Sequence, residues 1–244
     1  MIKLVENNRE AELVLEHLSI DTAPLLASEM FTEGFGVKQD FLQFYSAFNN
    51  SGKLCAAFVK CNDRVFCLIE SLYDKDEILW FLKGFENFKI FISSDFADII
   101  DRKLFNSCIL MKKYGILEDT VLSISDIDSK TFTNIIMDGK DKDASIRFLL
   151  NNSHLSRHGF LKNHAYISNG DVLSIASCYG GSKGDYLCNV FTPFEYRHKG
   201  YACSLINEIT NNNKEYHLIC VEELSALYEK CGFKPYARWI EFLY

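Results

Sequence analysis

The sequence is short of several things. Its 244 residues hold only three prolines and no C-x-x-C pair. Nowhere do they approach the roughly 18 consecutive apolar residues of a membrane-spanning helix. With 48% hydrophobic and 24% charged residues, disorder and collagen-like repeats are excluded. Positive charge is also scarce. The 26 Lys and Arg face 33 Asp and Glu, a formal net charge of −7. That argues against a generic binder of nucleic acid or of anionic membranes, which needs a basic surface. The first residues carry Lys3, Glu6, Arg9 and Glu10 where a secretory signal needs an apolar run.

What is present is aromatic and thiol-rich. Twenty Phe supply a substantial core. The nine cysteines are odd in number, in a chain long enough to do without disulfide staples, so reduced thiols and a cytoplasmic protein are expected. Cys55, Cys61 and Cys67 recur at an even spacing, which places them on one face of alternating strands as small hydrophobes. His154, His158 and His164 lie close in sequence, but no Cys, Asp or Glu completes a zinc-like spacing, so no metal is expected.

A division after Lys113 helps to organise the chain. Charge does not separate the halves, at −4 and −3, but 13 of the 20 Phe fall in the first. In the second half a helix is predicted around Ala144–Asn151. His164–Ser168 and Asp171–Ser177 read as a hairpin about Asn169-Gly170. Gly180–Gly184 lacks Walker spacing and reads as a second hairpin loop. Asp185–Thr192 is a strand, and a helix follows from Gly200 with Leu205, Ile206 and Ile209 on one side. Tyr216–Val221 is a strand, Glu222–Lys230 a short helix ended by Gly232, and Ala237–Tyr244 a closing strand. In the first half, Leu54–Lys60 and Val65–Ser71 form a hairpin. Asp74 and Glu77 make a capping box for a helix to Phe85. Lys89–Ser93 is a strand, Phe96–Phe105 a helix and Cys108–Lys113 a strand. The same order thus occurs twice, an α/β pattern that suggests internal duplication.

The most informative segment is Val190-Phe191-Thr192-Pro193-Phe194-Glu195-Tyr196-Arg197-His198-Lys199-Gly200-Tyr201-Ala202. Arg197, Gly200 and Ala202 fit the pattern Q/R-x-x-G-x-G/A between a strand and a helix. A helix start offers unpaired N–H groups and the positive end of the dipole. Gly200 permits close approach of the backbone, Ala202 keeps the first turn small, and Arg197, His198 and Lys199 add charge. A pyrophosphate is the natural guest. After the next strand comes Leu227-Tyr228-Glu229-Lys230-Cys231-Gly232-Phe233.

Together these segments resemble the pyrophosphate loop and the tyrosine helix of the GNAT superfamily of acyl-CoA-dependent N-acyltransferases. The resemblance covers about 115–244, with its motifs within 187–233. It implies an α/β, mixed-sheet GNAT fold with a catalytic domain at 114–244, preceded by a smaller α/β domain at 1–113, a degenerate GNAT-like repeat. It implies acetyl-CoA as cosubstrate and transfer of acetyl to a primary amine, direct and within a ternary complex. The strand before the loop splays from its neighbour, so the backbone of Val190 and Thr192 would bond the pantetheine arm. The amide of Val190 or Phe191 would polarise the thioester carbonyl. The amides of His198, Lys199, Gly200, Tyr201 and Ala202 would hold the pyrophosphate, and Tyr228 would be the general acid. For the base, Asp185, His217, Glu222 and Glu223 stay open. The chain departs from the family in having no Asn between the second strand and Tyr228. The first half has no Gly in Ser71-Leu72-Tyr73-Asp74-Lys75-Asp76 and no Tyr in Ile100-Asp101-Arg102-Lys103-Leu104-Phe105, so no CoA binding is expected there.

The acceptor is open: a small-molecule or peptide amine, with no nucleic-acid or membrane partner expected and a homodimer compatible with the sequence. Two other readings stand beside this one, a non-catalytic CoA-binding regulator and an aminoacyl-tRNA-dependent transferase.

Overall fold

The structure is a computed structural model that describes residues 1–19, 22–37, 39, 41–72, 74–101, 104–117 and 123–243. In chain order the first half forms β1 (Ile2–Leu4), α1 (Asn8–His17), α2 (Thr22–Phe35), β2 (Leu42–Phe48), β3 (Leu54–Cys61), β4 (Arg64–Ile69), α3 (Lys75–Leu82), β5 (Lys89–Ser93) and β6 (Leu104–Tyr114). The second forms β7 (Ile124–Asp126), α4 (Ser129–Ile136), α5 (Lys142–Arg157), β8 (Leu161–Ser168), β9 (Asp171–Gly181), β10 (Gly184–Phe191), α6 (Tyr201–Ile209), β11 (Glu215–Val221), α7 (Ser225–Lys230) and β12 (Lys234–Leu243). A strand, two helices, three strands, a helix and a strand are followed by a short helix and a last strand, and the series occurs twice. In the first series the short helix is a single 3₁₀ segment, Ser94–Ile99.

The chain divides into two compact units. The first holds Met1–Leu110, Ile219–Glu223 and Pro235–Tyr244, and the second Met111–Leu218 and Leu224–Lys234. A cut after Lys113 would leave 219–223 and 235–244 with the C-terminal half. The contacts assign both segments to the first unit; for 235–244 the reason is that β12 pairs antiparallel with β5, from Trp239 opposite Ser93 to Leu243 opposite Lys89. Lys89 Nζ lies 3.2 Å from the buried carboxylate of Glu241 on β12, and Asn106 Nδ2 donates to the same group at 2.6 Å.

In the first unit the strands run β1-β2-β3-β4-β5-β12-β6. Hairpins β2–β3 and β3–β4 are antiparallel, and β4–β5 is parallel. The phenylalanine excess of this half is spent on the unit's own core. Phe58, Phe81, Phe85 and Tyr45 meet at ring separations of 4.9–6.2 Å, above Ile78, Leu82, Ile90 and Phe242. Asp74 caps α3 by accepting from Glu77 N. Glu77, in turn, accepts from Ile2 N at 2.8 Å and pairs with the N-terminal ammonium at 3.2 Å. The helix predicted over Phe96–Phe105 is also corrected. Its apolar spacing yields only the 3₁₀ segment, and Leu104 and Phe105 already belong to β6. Arg102 and Lys103 lie outside the described residues.

In the second unit the order is β11-β10-β9-β8-β7, antiparallel except for β10–β11. The β8–β9 turn has Asn169 and Gly170 at φ 52° and 86°, the primed turn that Asn-Gly specifies. Gly180–Gly184 is the predicted hairpin loop, turning through Ser182-Lys183. Phe132 of α4 packs with Ala165 and Ile175 on one face of the sheet, with Phe148 of α5 against them. Helix α6 buries Leu205, Ile206 and Ile209, as their spacing predicts. No helix among the described residues is long and apolar enough to cross a membrane.

Candidate functional site

The second unit contains an opening in its sheet. Strands β10 and β11 pair only at Asp185–Tyr216 and Tyr186–His217, and the ladder goes no further. From Leu187 to Phe191, β10 has no partner in β11, so its main chain is available to a ligand on that side. On its other side the register with β9 shifts between Cys188 and Phe191, with Asn189 at φ 54°. Val190 and Phe191 follow this break. Thr192 follows the strand, its hydroxyl 3.1 Å from Ser174 Oγ.

The chain then turns through Phe194–Tyr196 into α6. His198 is left-handed at φ 62°, and Gly200, the N-cap, at φ 85°. No side chain caps this helix start. The first-turn amides of Tyr201 and Ala202 therefore keep the unsatisfied donors that attract an anion. A Cβ built on Gly200 would meet nothing within 4 Å. The glycine is demanded by its backbone angle, and the approach to it is open. Arg197 braces the loop. Its Nε donates to Thr192 O at 3.0 Å, while the guanidinium lies over Phe191 and Phe194 at 5.8 and 5.6 Å. Lys199 Nζ sits 5.6 Å from the Tyr196 ring centre. Desolvation and a hydrogen bond to Asp171 push the Tyr196 phenol above its ordinary value. Open amides, an unobstructed glycine and three adjacent basic residues suit a pyrophosphate.

Tyr228 lies on α7, buried at 7% exposure, with its ring edge-on to Phe233 at 6.1 Å. Gly232 at φ 86° reverses the chain after it, and Phe233 N donates back to Tyr228 O. The four candidate bases stand in different surroundings. Asp185 is 3.2 Å from Lys214 Nζ. Glu222 accepts from Arg238 at 2.8 Å, and that bond holds its carboxyl below the usual range. Glu223 is exposed. His217 is buried, its Nε2 2.9 Å from Glu215 Oε1. Burial draws its pKa below the ordinary histidine value, although Glu215 opposes the change. His217 also occupies the last paired position before β10 and β11 part.

The first unit provides an internal comparison. Strand β4 pairs with β5 at four positions, Arg64–Lys89 to Cys67–Ile92, and β3–β4 shows no shift of register. Helix α3 begins with Asp74, whose own carboxylate occupies a first-turn amide. Among the described residues, this parallel pair is twice as long as that of β10 and β11, and α3 lacks an uncapped start. Sequence reasoning missed the β10 bulge and the two β9 serines beside it. Asn189, a residue tolerant of left-handed geometry within an apolar strand, was the available signal.

No protein-family model matches this sequence, and no curated protein matches it. Solved structures match its fold over almost its full length. A GCN5-related N-acetyltransferase from Sphaerobacter thermophilus aligns over 99% of this chain and 94% of its own, at 11% identity and a TM-score of 0.63. A GNAT-family acetyltransferase from Colwellia psychrerythraea aligns over 99% and 98%, at 12% identity and a TM-score of 0.59. A tandem GNAT protein from the clavulanic acid biosynthesis pathway aligns over 99% and 98%, at 11% identity and a TM-score of 0.59. At such identities the likeness is one of fold. The chain has the GNAT fold, a mixed α/β architecture, along its length.

Proposed function

We propose that this protein is an N-acetyltransferase, moving an acetyl group from acetyl-CoA to a primary amine by direct transfer, with the second unit catalytic. The observation that carries the reading is the coincidence, in that unit, of parted parallel strands and an uncapped, left-handed glycine at the next helix start. Acetyl-CoA would supply the thioester whose carbonyl the amine attacks. The amides of His198 to Ala202 hold the pyrophosphate, and the β10 backbone at Val190 and Thr192 bonds the extended arm. A main-chain N–H at Val190 or Phe191 faces the charge that develops on the carbonyl oxygen. The new C–N bond forms as the C–S bond breaks, and the leaving sulfur takes a proton from Tyr228. A phenol of pKa about 10 can support a thiolate whose acid has pKa about 8.5. The proton shed by the amine goes through water to His217, which occupies the last paired position before β10 and β11 part.

The test is thiol release from acetyl-CoA across a panel of amino acids, polyamines, aminoglycosides and peptides with free N-termini. Release with at least one amine, and loss of both release and calorimetric acetyl-CoA binding in Gly200→Val, is the expected result. Tight acetyl-CoA binding with no release from any amine would make the protein a binder, not an enzyme.

A further inference from the structure

Strand β10 breaks its ladder with β9 at one place. The register runs from Gly184 opposite Gly181 to Cys188 opposite Ser177, then resumes at Phe191 opposite Ile175. Asn189 and Val190 thus stand opposite Ala176 alone, a bulge of one residue. A bulge gives up ladder bonds, so its geometry must be held in another way. Strand β9 holds it with two fully buried serines, one on each side. Before the bulge, Ser177 Oγ accepts from Asn189 Nδ2 at 3.4 Å. After it, Ser174 Oγ donates to Phe191 O at 3.1 Å and lies 3.1 Å from Thr192 Oγ1.

Ser177 is itself anchored. Its hydroxyl donates to Asn163 Oδ1 at 2.8 Å. Asn163 of β8 and Asn152 of α5 exchange reciprocal hydrogen bonds of 3.1 and 2.7 Å. Asn152, Asn163 and Ser177 are 3%, 2% and 0% exposed. The neighbouring core positions Phe132, Ala165 and Ile175 are apolar. Packing alone would be served by apolar side chains here, since buried polar groups must all find partners or cost stability. These groups satisfy one another, and the column they form ends on the bulge.

We propose that Asn152, Asn163, Ser177 and Ser174 are positioning residues that lock the β10 bulge and so aim the main-chain N–H groups of Val190 and Phe191. The proposal rests on the reading of β10 as the strand that holds the acyl carbonyl. Misplacing such donors by about 1 Å can cost on the order of 100-fold in rate. The bonds of Asn152, Asn163 and Ser177 reach β10 at Asn189, well before the loop at Arg197–Gly200.

The test uses Ser177→Ala and Asn189→Gly in the full chain. The glycine keeps access to the left-handed angle and removes only the tether. Each is expected to lower kcat about tenfold, with acetyl-CoA affinity by calorimetry within about twofold of wild type. The double variant is expected to be no slower than either single one, because both cut the same link. In the free protein, the Val190 amide resonance should move in both variants while those of Tyr201 and Ala202 stay in place. An unmoved Val190 resonance, multiplying effects in the double variant, or an unchanged kcat overturns the proposal. If the wild-type protein binds no acetyl-CoA, the functional reading fails, and the amide resonances still decide whether the column fixes the bulge.

Discussion

At the scale of single residues, the site is built from two kinds of requirement. Gly200 answers to its backbone. At φ 85° with open space around it, a side chain is excluded by conformation, at about 1–2 kcal/mol, and not by a clash. Tyr228 answers to chemistry, since its ring packs against Phe233 while its hydroxyl is the part that a transferase would use. Tyr228→Phe keeps the ring and removes the hydroxyl. Turnover is expected to fall on the order of 100-fold with acetyl-CoA affinity unchanged. Wild-type kcat in the variant would remove Tyr228 from the reaction. The local placement of both, Gly200 at a helix start and Tyr228 on the next short helix, was legible in the sequence because each sits in a short local pattern. Ser174 and Ser177 were not. A serine in a strand carries no mark of what faces it, and their partners Phe191 and Asn189 stand across a break in register.

At the scale of elements, caps and turns were legible and the final helix of the first half was not. Asn169-Gly170 and Gly232 have the backbone angles that their residue types favour. Phe96, Ile99 and Ile100 have helical spacing, but Leu104 and Phe105 are drawn into β6, and only the 3₁₀ turn remains. One cap gives a test by pH. Asp128 accepts from Lys130 N, Thr131 N and Thr131 Oγ1 at the start of α4, and these bonds, chiefly that from the Thr131 hydroxyl, hold its carboxyl below the usual value. A lowered folded-state pKa means that the unfolded chain binds more protons as pH falls. The cap's contribution is thus complete above about pH 4, the ordinary aspartate value, and is lost as pH falls through the lower folded-state one. Asp128→Ala is expected to cost about 1 kcal/mol near neutrality. The gap from wild type should narrow in acid, as urea melts at several pH values would show. A gap independent of pH would mean that the carboxylate is not the capping group.

At the scale of the whole molecule, the repeated order of elements was visible in the pattern of strands and helices, and so was the absence of the phosphate motif from the first repeat. The assignment of segments to units was not. Each compact unit is assembled from separated stretches of chain, the first from 1–110, 219–223 and 235–244. A fragment of residues 114–244 therefore carries β12 without its partner β5 and lacks Met111–Lys113 of its own unit. It is expected to be poorly folded, without a cooperative thermal transition, and to bind acetyl-CoA at least tenfold more weakly than the full chain. A fragment that melts sharply and binds as well as the intact protein would show that the C-terminal half is self-sufficient.

By itself the sequence determined the α/β order, its repetition, the hairpin turns and the glycine-led start of α6 with the tyrosine helix that follows β11. These depend on short-range physics: side-chain periodicity, left-handed angles that favour Gly and Asn, and donors clustered at a helix start. Only the tertiary structure decided which strand lies beside which, that β10 and β11 part after two pairs, and that a buried column of Asn and Ser ends on the β10 bulge. Those features depend on which distant segments meet, and a β-strand's sequence states which of its faces is apolar without naming the strand it will bond.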